Sequence, residues 1–366
     1  LTAILGSASA FIESTLAQIY KHKAKDGSSY GGPAYYIQAA LKKRWIGVLF
    51  AVVLILTYMG GFNLVASFNI ADSFRVYSFF NPEWTPLIVG AILAVVFALA
   101  VFGGSKKISQ ITEVLVPVMG IFYLAVSLFI ILKHYQLVPV MFTSIFNNAF
   151  DVQAIFGGFA GSCVMHGIKR GLFSNEAGMG STPHAHAQAN VKDPHEQGTV
   201  AMIGVFIDTF VVLTITALTV VITLYTKGGI LADGTIPEAI NKTNLAQTAF
   251  GTLLGEAGGN IFIAIALFFF AFSTVLGWNM FGKINVAYLF GKNAKSEKIA
   301  TTVYNVISLA FIFLGTLASN DLVWELSDMF NQLMVLPNVI ALIACGGIVV
   351  SLTHFGKKSK EIKVVE

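Results

Sequence analysis

Nine apolar runs, most about as long as a membrane is thick, recur along this chain, each closed by a polar stretch. They cover Leu1 to Tyr20, Trp45 to Ala71, Leu87 to Phe102, Ile111 to Leu132, Ala154 to Ile168, Thr199 to Tyr225, Asn260 to Phe290, Thr301 to Ala318 and Leu322 to Leu352. A helix of roughly 20 such residues crosses about 30 Å of hydrocarbon, so the pattern predicts an all-α polytopic membrane protein. No polar stretch is long enough for a soluble domain, and residues 1–366 read as a single transmembrane domain. Trp45, Trp84 and Trp324 each start a run, where an amphipathic ring anchors at the bilayer surface. Trp278 falls well inside the seventh-from-first run, four residues after Thr274 and so on the same helical face.

Composition agrees with this reading: the chain is 55% hydrophobic and 11% charged, with 31 Phe and a mean hydropathy of +0.74. When alternate loops are taken as cytoplasmic, they hold all 23 Lys and Arg except Arg75, Lys133, Lys227 and Lys242. That asymmetry places the C-terminus in the cytoplasm, in the cell's inner (plasma) membrane. The net charge of +4 therefore reflects topology, and no nucleic-acid partner is implied. The chain opens on Leu1, already inside an apolar run and without a basic leader, which is expected of a fragment lacking at least one earlier helix. Cys163 and Cys345 both lie in apolar runs and support neither a disulfide framework nor a metal site.

The two longest polar stretches, Lys21 to Arg44 and Gly171 to Gln197, are expected to be partly helical cytoplasmic loops. Tyr36, Ile37, Ala40 and Leu41 would share one face of a short helix lying at the inner leaflet.

One run is different. Gly157, Gly158, Gly161 and Gly167 interrupt the apolar segment from Ala154 to Ile168, which then ends on Lys169 and Arg170. Backbone freed by such a break must face buried protein or a water-filled cavity, where its carbonyls and amides can hold something small and polar. Polar side chains inside runs raise the same question, because an unpaired polar group in lipid costs several kcal/mol. Ser273 and Thr274 present two hydroxyls mid-run, which either bond back one turn or serve as uncharged oxygen ligands for a monovalent cation. Asp208 is the deepest acid, suited to structural pairing or to a cation path, whereas Glu13 and Glu113, nearer run ends, suit snorkelling or loop pairing. Asn63 and Asn69 could reach a ligand or bond across helices. His184 and His186 have a ligand-like spacing, but no third donor follows. Walker, GxSxG and HExxH motifs are all absent, so ATP-driven pumping and common hydrolysis lack support.

GIKRGLFSNEAGMGSTPHAHA (Gly167 to Ala187), GGPAYYI (Gly31 to Ile37), FIDT (Phe206 to Thr209), FAFSTVLGW (Phe270 to Trp278) and MVLPN (Met334 to Asn338) together resemble the alanine/glycine:cation symporter family. The resemblance runs from end to end. It implies a five-plus-five inverted-repeat fold, like that of the bacterial leucine transporter, lacking its first helix, with the nine runs as helices two to ten of one transport domain. It further implies that no cofactor is needed beyond sodium as coupling ion, that the chain is not an enzyme, and that its cargo is a small neutral amino acid such as alanine or glycine. Serine or glutamine as cargo, and proton in place of sodium, are the nearest variants; a channel or an intramembrane enzyme is more remote. By the same resemblance Phe156, Gly157, Gly158, Gly161 and Ser162, with Trp278 and Asn63, look like the amino-acid site. Ser273 and Thr274, with Asp208 as a further candidate, look like the sodium site. Ala66 and Phe68 stand where members carry Gln and Asn, and nothing in the sequence sets the oligomeric state.

Overall fold

The computed structural model describes residues 2–24, 27–103, 105–149, 159–234, 240 and 244–352, with the side chains of 2, 105–113, 148–149, 159–163 and 352 set aside. Helix α1 (Thr2–Ile19) leads into a two-stranded antiparallel hairpin, β1 (His22–Lys23) and β2 (Ser29–Tyr30), with His22 opposite Tyr30. Then come α2 (Pro33–Leu41), α3 (Arg44–Asp72), α4 (Trp84–Phe102), α5 (Ser105–Lys133) and α6 (Val138–Ala149). Next are α7 (Phe159–Asn175), the single turn α8 (Pro183–His186) and α9 (Pro194–Tyr225). The chain continues through α10 (Leu245–Leu254), α11 (Glu256–Phe290), α12 (Ala294–Leu317) and α13 (Asn320–Leu352).

Among the described residues seven helices are long and apolar enough to cross a membrane: α3, α4, the part of α5 from Val114, α9, α11, α12 and α13. These seven correspond to seven of the nine runs. Of the other two, Leu1 to Tyr20 forms α1, whose apolar stretch is Ala3–Ile19, and Ala154 to Ile168 begins outside the described residues, its remainder lying in α7. The outward faces suit lipid. On α4, Ile88, Ile92, Val95 and Leu99 are exposed at helical spacing and form one apolar stripe.

Helix α1 lies along the first half of α9, the second half of α3 packs on α12, α12 on α4, and α10 on α11. A large core joins α2, α3, α11 and α13 through Tyr36, Phe50, Tyr58, Phe62, Trp278 and Met334. A second core ties α5, α6, α9, α10 and α11 through Ile130, Met141, Ile222, Phe250 and Ile263. Two helices contain a wider turn with one extra residue, Thr57–Phe62 in α3 and Ile207–Leu213 in α9, a feature that recurs at functional sites.

Both long polar stretches are partly helical, as expected, and both carry buried residues. Tyr36 and Ile37 of α2 have no exposed surface, so this helix packs inside the protein rather than lying on the leaflet. Between α7 and α9, Ala177, Met179, Ser181 and His184 are buried as well. Tyr36 bonds to Asn338 and His184 to Asn285, partners more than a hundred residues away in sequence, which is why local pattern could not place them.

Candidate functional site

The chain leaves the helical region at Glu176, whose φ of 54° is left-handed, and again at Gly178 and Gly180, with φ of 83° and 84°. The segment from Glu176 to Thr182 is thus irregular backbone between two helices. Glycine is required at 180 twice over, because a Cβ there would also meet Phe50 at 2.7 Å and Pro33 at 2.8 Å.

Helices from across the fold hold this segment. Glu13 of α1 has no exposed surface; its Oε1 accepts a short hydrogen bond from Asn338 Nδ2 of α13. The same amide donates to the Gly178 carbonyl at 3.0 Å, and Asn338 Oδ1 accepts from the Tyr36 hydroxyl of α2. Trp278 Nε1 of α11 donates to Glu176 Oε1 at 2.8 Å. The Trp278 ring stacks on Tyr58 at 5.9 Å and 8°, and sits 4.8 Å from Phe62, both on the wide turn of α3. His184 Nδ1 donates to the Ser181 carbonyl at 2.8 Å, while its Nε2 takes a hydrogen bond from Asn285 at 2.8 Å. Both ring nitrogens are occupied, so His184 is a neutral packing hub instead of half of a metal pair. Among the described residues no three His, Cys, Asp or Glu side chains lie close enough to hold a metal ion.

Glu13 is the clearest correction. A carboxyl near a helix end reads as a snorkelling group, yet this one is enclosed, and its Oε2 has no hydrogen-bond partner. Glu176, Tyr36, Asn285 and Asn338 were likewise not singled out as site residues, although all but Asn285 sit in the stretches that carry the family resemblance.

The expected binding residues are distributed as follows. Gly161 and Ser162 fall within α7, three residues or fewer from its first residue, Phe159; Phe156, Gly157 and Gly158 lie outside the described residues. With 17 residues in α7, about 25 Å separates this glycine-rich end from Glu176 at 1.5 Å per residue. Trp278 is buried at 6% exposure and belongs to the Glu176 end. Ser273 and Thr274 both donate to the Phe270 carbonyl, at 3.0 and 2.8 Å. Thr274 and Trp278 share a face of the unbroken helix α11, as their spacing predicts, but Thr274 is exposed and Trp278, one turn on, is buried. Asn63 is buried next to the wide turn; its Nδ2 reaches the Met59 carbonyl at 3.3 Å and its Oδ1 has no partner. Asp208, on the wide turn of α9, accepts from Ser174 at 2.7 Å and from Thr209 at 3.3 Å. It ties α9 to the end of α7. Lys169 and Arg170 of α7 pair with Asp328 of α13, and the Arg170 guanidinium lies 4.5 Å above the Trp324 ring. Trp324 is therefore a packed ring, while Trp45 and Trp84 are exposed as anchors should be.

Irregular backbone inside a bundle of membrane-spanning helices, satisfied by buried side chains from several of them, is the construction of a secondary transporter. The chain matches the model of the sodium:alanine symporter family over residues 1–365 and belongs to that family. It is 35% identical to the sodium/alanine symporter AgcS of Methanococcus maripaludis, over 96% of this chain and 75% of that protein. It is 37% identical to the probable sodium/glutamine symporter GlnT of Bacillus subtilis, over 95% and 69%. The amino-acid carrier protein AlsT of the same bacterium is 36% identical over 93% and 69%. The chain is thus a multi-pass membrane transporter and not an enzyme, a sodium-coupled symporter of amino acids.

Proposed function

We propose that this symporter takes up a small neutral amino acid, alanine or glycine, together with sodium, by alternating access between two halves of a five-plus-five inverted repeat. The observation that carries the substrate class is Trp278, buried between Tyr58 and Phe62 and tied to Glu176 one and a half turns from Ser273. A bulky ring held in place by Tyr58 and Phe62 bounds the side chain that can sit beside it, which favours a small one. In this reading the amino acid sits beside Trp278 and Asn63, and the glycine-rich start of α7, with Phe156, Gly157, Gly158, Gly161 and Ser162, stands about 25 Å away along that helix, on the path of the cargo.

Sodium binds at Ser273 and Thr274. Both hydroxyls give their protons to the Phe270 carbonyl, which turns their lone pairs outward as oxygen ligands for a hard cation. Asn63 Oδ1, buried and unpartnered, is an acceptor for the substrate amine. Asp208 holds the end of α7 against α9 through Ser174 instead of touching the ion. The Glu176–Thr182 segment with Glu13, Tyr36 and Asn338 closes the lysine- and arginine-rich side, the cytoplasmic one, and opens when the halves rock. The coupling ion needs no resident cofactor.

Proteoliposomes containing the chain test this directly. Inward sodium is expected to drive accumulation of labelled alanine, with unlabelled glycine and alanine competing better than serine and much better than glutamine. Uptake driven equally by a proton gradient in sodium-free buffer would overturn the coupling, and stronger competition by glutamine would overturn the substrate. A solute that equilibrates without accumulating would mark a channel.

A further inference from the structure

An apolar groove of about 690 Å³ opens between α3, α11 and α12, away from the Glu176 segment. Its walls are Ile55 and Met59 of α3, Phe290 of α11, and Ile299, Val303 and Ile307 of α12. Phe290, Ile299 and Val303 are about half exposed, so the groove faces the lipid. Its rim is polar at one end only, where Asn293, Lys295 and Ser296 begin α12. Lys292, Lys295 and Lys298 are all exposed there; Lys295 shares a helical face with Ile299, and Lys298 stands one turn from Lys295. Glu297, in the same turn, turns its carboxylate toward Gly291.

We infer that this groove binds one anionic phospholipid, its headgroup on Lys292, Lys295 and Lys298 and an acyl chain between α3 and α12. Dimensions and charge both select that occupant. From Lys295 to Ile307 the α12 wall runs about 18 Å at 1.5 Å per residue, close to one leaflet of a roughly 30 Å hydrocarbon core. Lysines at the headgroup level of a cleft between spanning helices favour an acidic lipid over a zwitterionic one. The α12 N-terminus adds its dipole to theirs, with Asn293 capping the Ser296 amide at 2.7 Å. A soluble anion fits the rim but has no use for the apolar walls.

The position gives the lipid a lever. Met59, in the groove, lies on the wide turn whose Tyr58 and Phe62 press on Trp278 from the other side. A chain wedged beside Met59 therefore supports the ring that walls the transport site.

Lipid retention tests the inference without reference to transport. The full chain, extracted from nanodiscs of mixed phosphatidylglycerol and phosphatidylcholine, is examined by native mass spectrometry. Phosphatidylglycerol is expected to be retained preferentially, one molecule per chain. Lys295→Gln with Lys298→Gln should weaken that retention about fivefold per lysine, with phosphatidylcholine unaffected, while Lys295→Arg with Lys298→Arg keeps it. Ala300→Trp, which fills the groove, should remove the retained lipid of either kind. Equal retention of the two lipids by the parent, undiminished retention by the glutamine variant, or competition by inorganic phosphate alone would each overturn the assignment.

Discussion

The two ends of α7 make an instructive pair. At one end stand the glycines Gly157, Gly158 and Gly161 in an apolar run; at the other stands Asn175, Glu176, Ala177, Gly178, Met179, Gly180 and Ser181, which reads as a polar loop. Among the described residues the second is built into a hydrogen-bonded knot, with Glu13, Tyr36, Trp278 and Asn338 closing on it from four helices. Glycine content in an apolar run advertises a possible site to a reader of sequence. A buried polar loop does not, because what makes it a site is the partners that tertiary structure brings. The two ends also differ in what a change should do: the glycine end bears on the path of the cargo, the Glu176 end on whether the protein can close and turn over.

The largest effect is expected at the knot's centre. Asn338→Leu removes the partner of Glu13, of the Gly178 carbonyl and of the Tyr36 hydroxyl at once. Uptake should fall to background, and unfolding in detergent should become easier by about 1–3 kcal/mol for each buried group left unpaired. Normal turnover in this variant would reduce the knot to packing and erase the contrast between the ends.

Gly180→Ala comes next. A left-handed φ costs a Cβ-bearing residue roughly 1–2 kcal/mol, and the methyl group would also press into Phe50 and Pro33. The maximal uptake rate is expected to drop about tenfold, a 1.4 kcal/mol effect, while the alanine concentration giving half that rate stays put. A change in that concentration with an unchanged maximal rate would move Gly180 from closure to binding.

Ser273→Ala combined with Thr274→Ala sharpens the comparison from the other side. Removing two oxygen ligands should raise the sodium concentration for half-maximal uptake about tenfold, with maximal rate and thermal stability nearly unchanged, because the lost bonds to Phe270 are local. Identical sodium curves for variant and parent would remove both hydroxyls from the ion site.

Trp278 belongs to both descriptions and should give the smallest but most diagnostic change. Trp278→Leu frees space beside Tyr58, so valine and leucine should gain on alanine by a few-fold, of the order expected for one or two methylenes in an apolar pocket. Competition assays with alanine, serine, valine and leucine read this out, and an unaltered rank order would leave the ring as a strut for Glu176 alone.

Most of the fold was legible because lipid makes hydropathy a strict rule: α3, α4, α9, α11, α12 and α13 each match one apolar run, their ends agreeing to within a residue or two at the C-terminal side and extending up to seven residues earlier at the N-terminal side. What escaped was everything polar that the bundle buries. Glu13 looked peripheral because it lies six residues from the end of α1, and no local signal shows that α2, α13 and the Glu176 segment fold over it. The α2 helix carried a face suited to a membrane surface, and the same face suits a protein core equally well. The family motifs were the better guide. GGPAYYI, NEAGMGS, FAFSTVLGW and MVLPN are far apart in sequence, and Tyr36, Glu176, Gly178, Trp278 and Asn338 from them meet at one place.

The wide turns at Thr57–Phe62 and Ile207–Leu213 also bear on how this chain tolerates insertions and deletions. Each behaves like a single residue spliced into an otherwise regular helix, and each residue turns a helix by about 100°. Deleting one residue from Thr57 to Phe62 would close the wide turn into an ordinary α-helix and leave Asn63–Asp72, nine of whose ten residues are buried, facing the same partners. The same deletion in the regular part of α3, with no wide turn to absorb it, would rotate everything beyond it by about 100° and turn those buried side chains away from their neighbours.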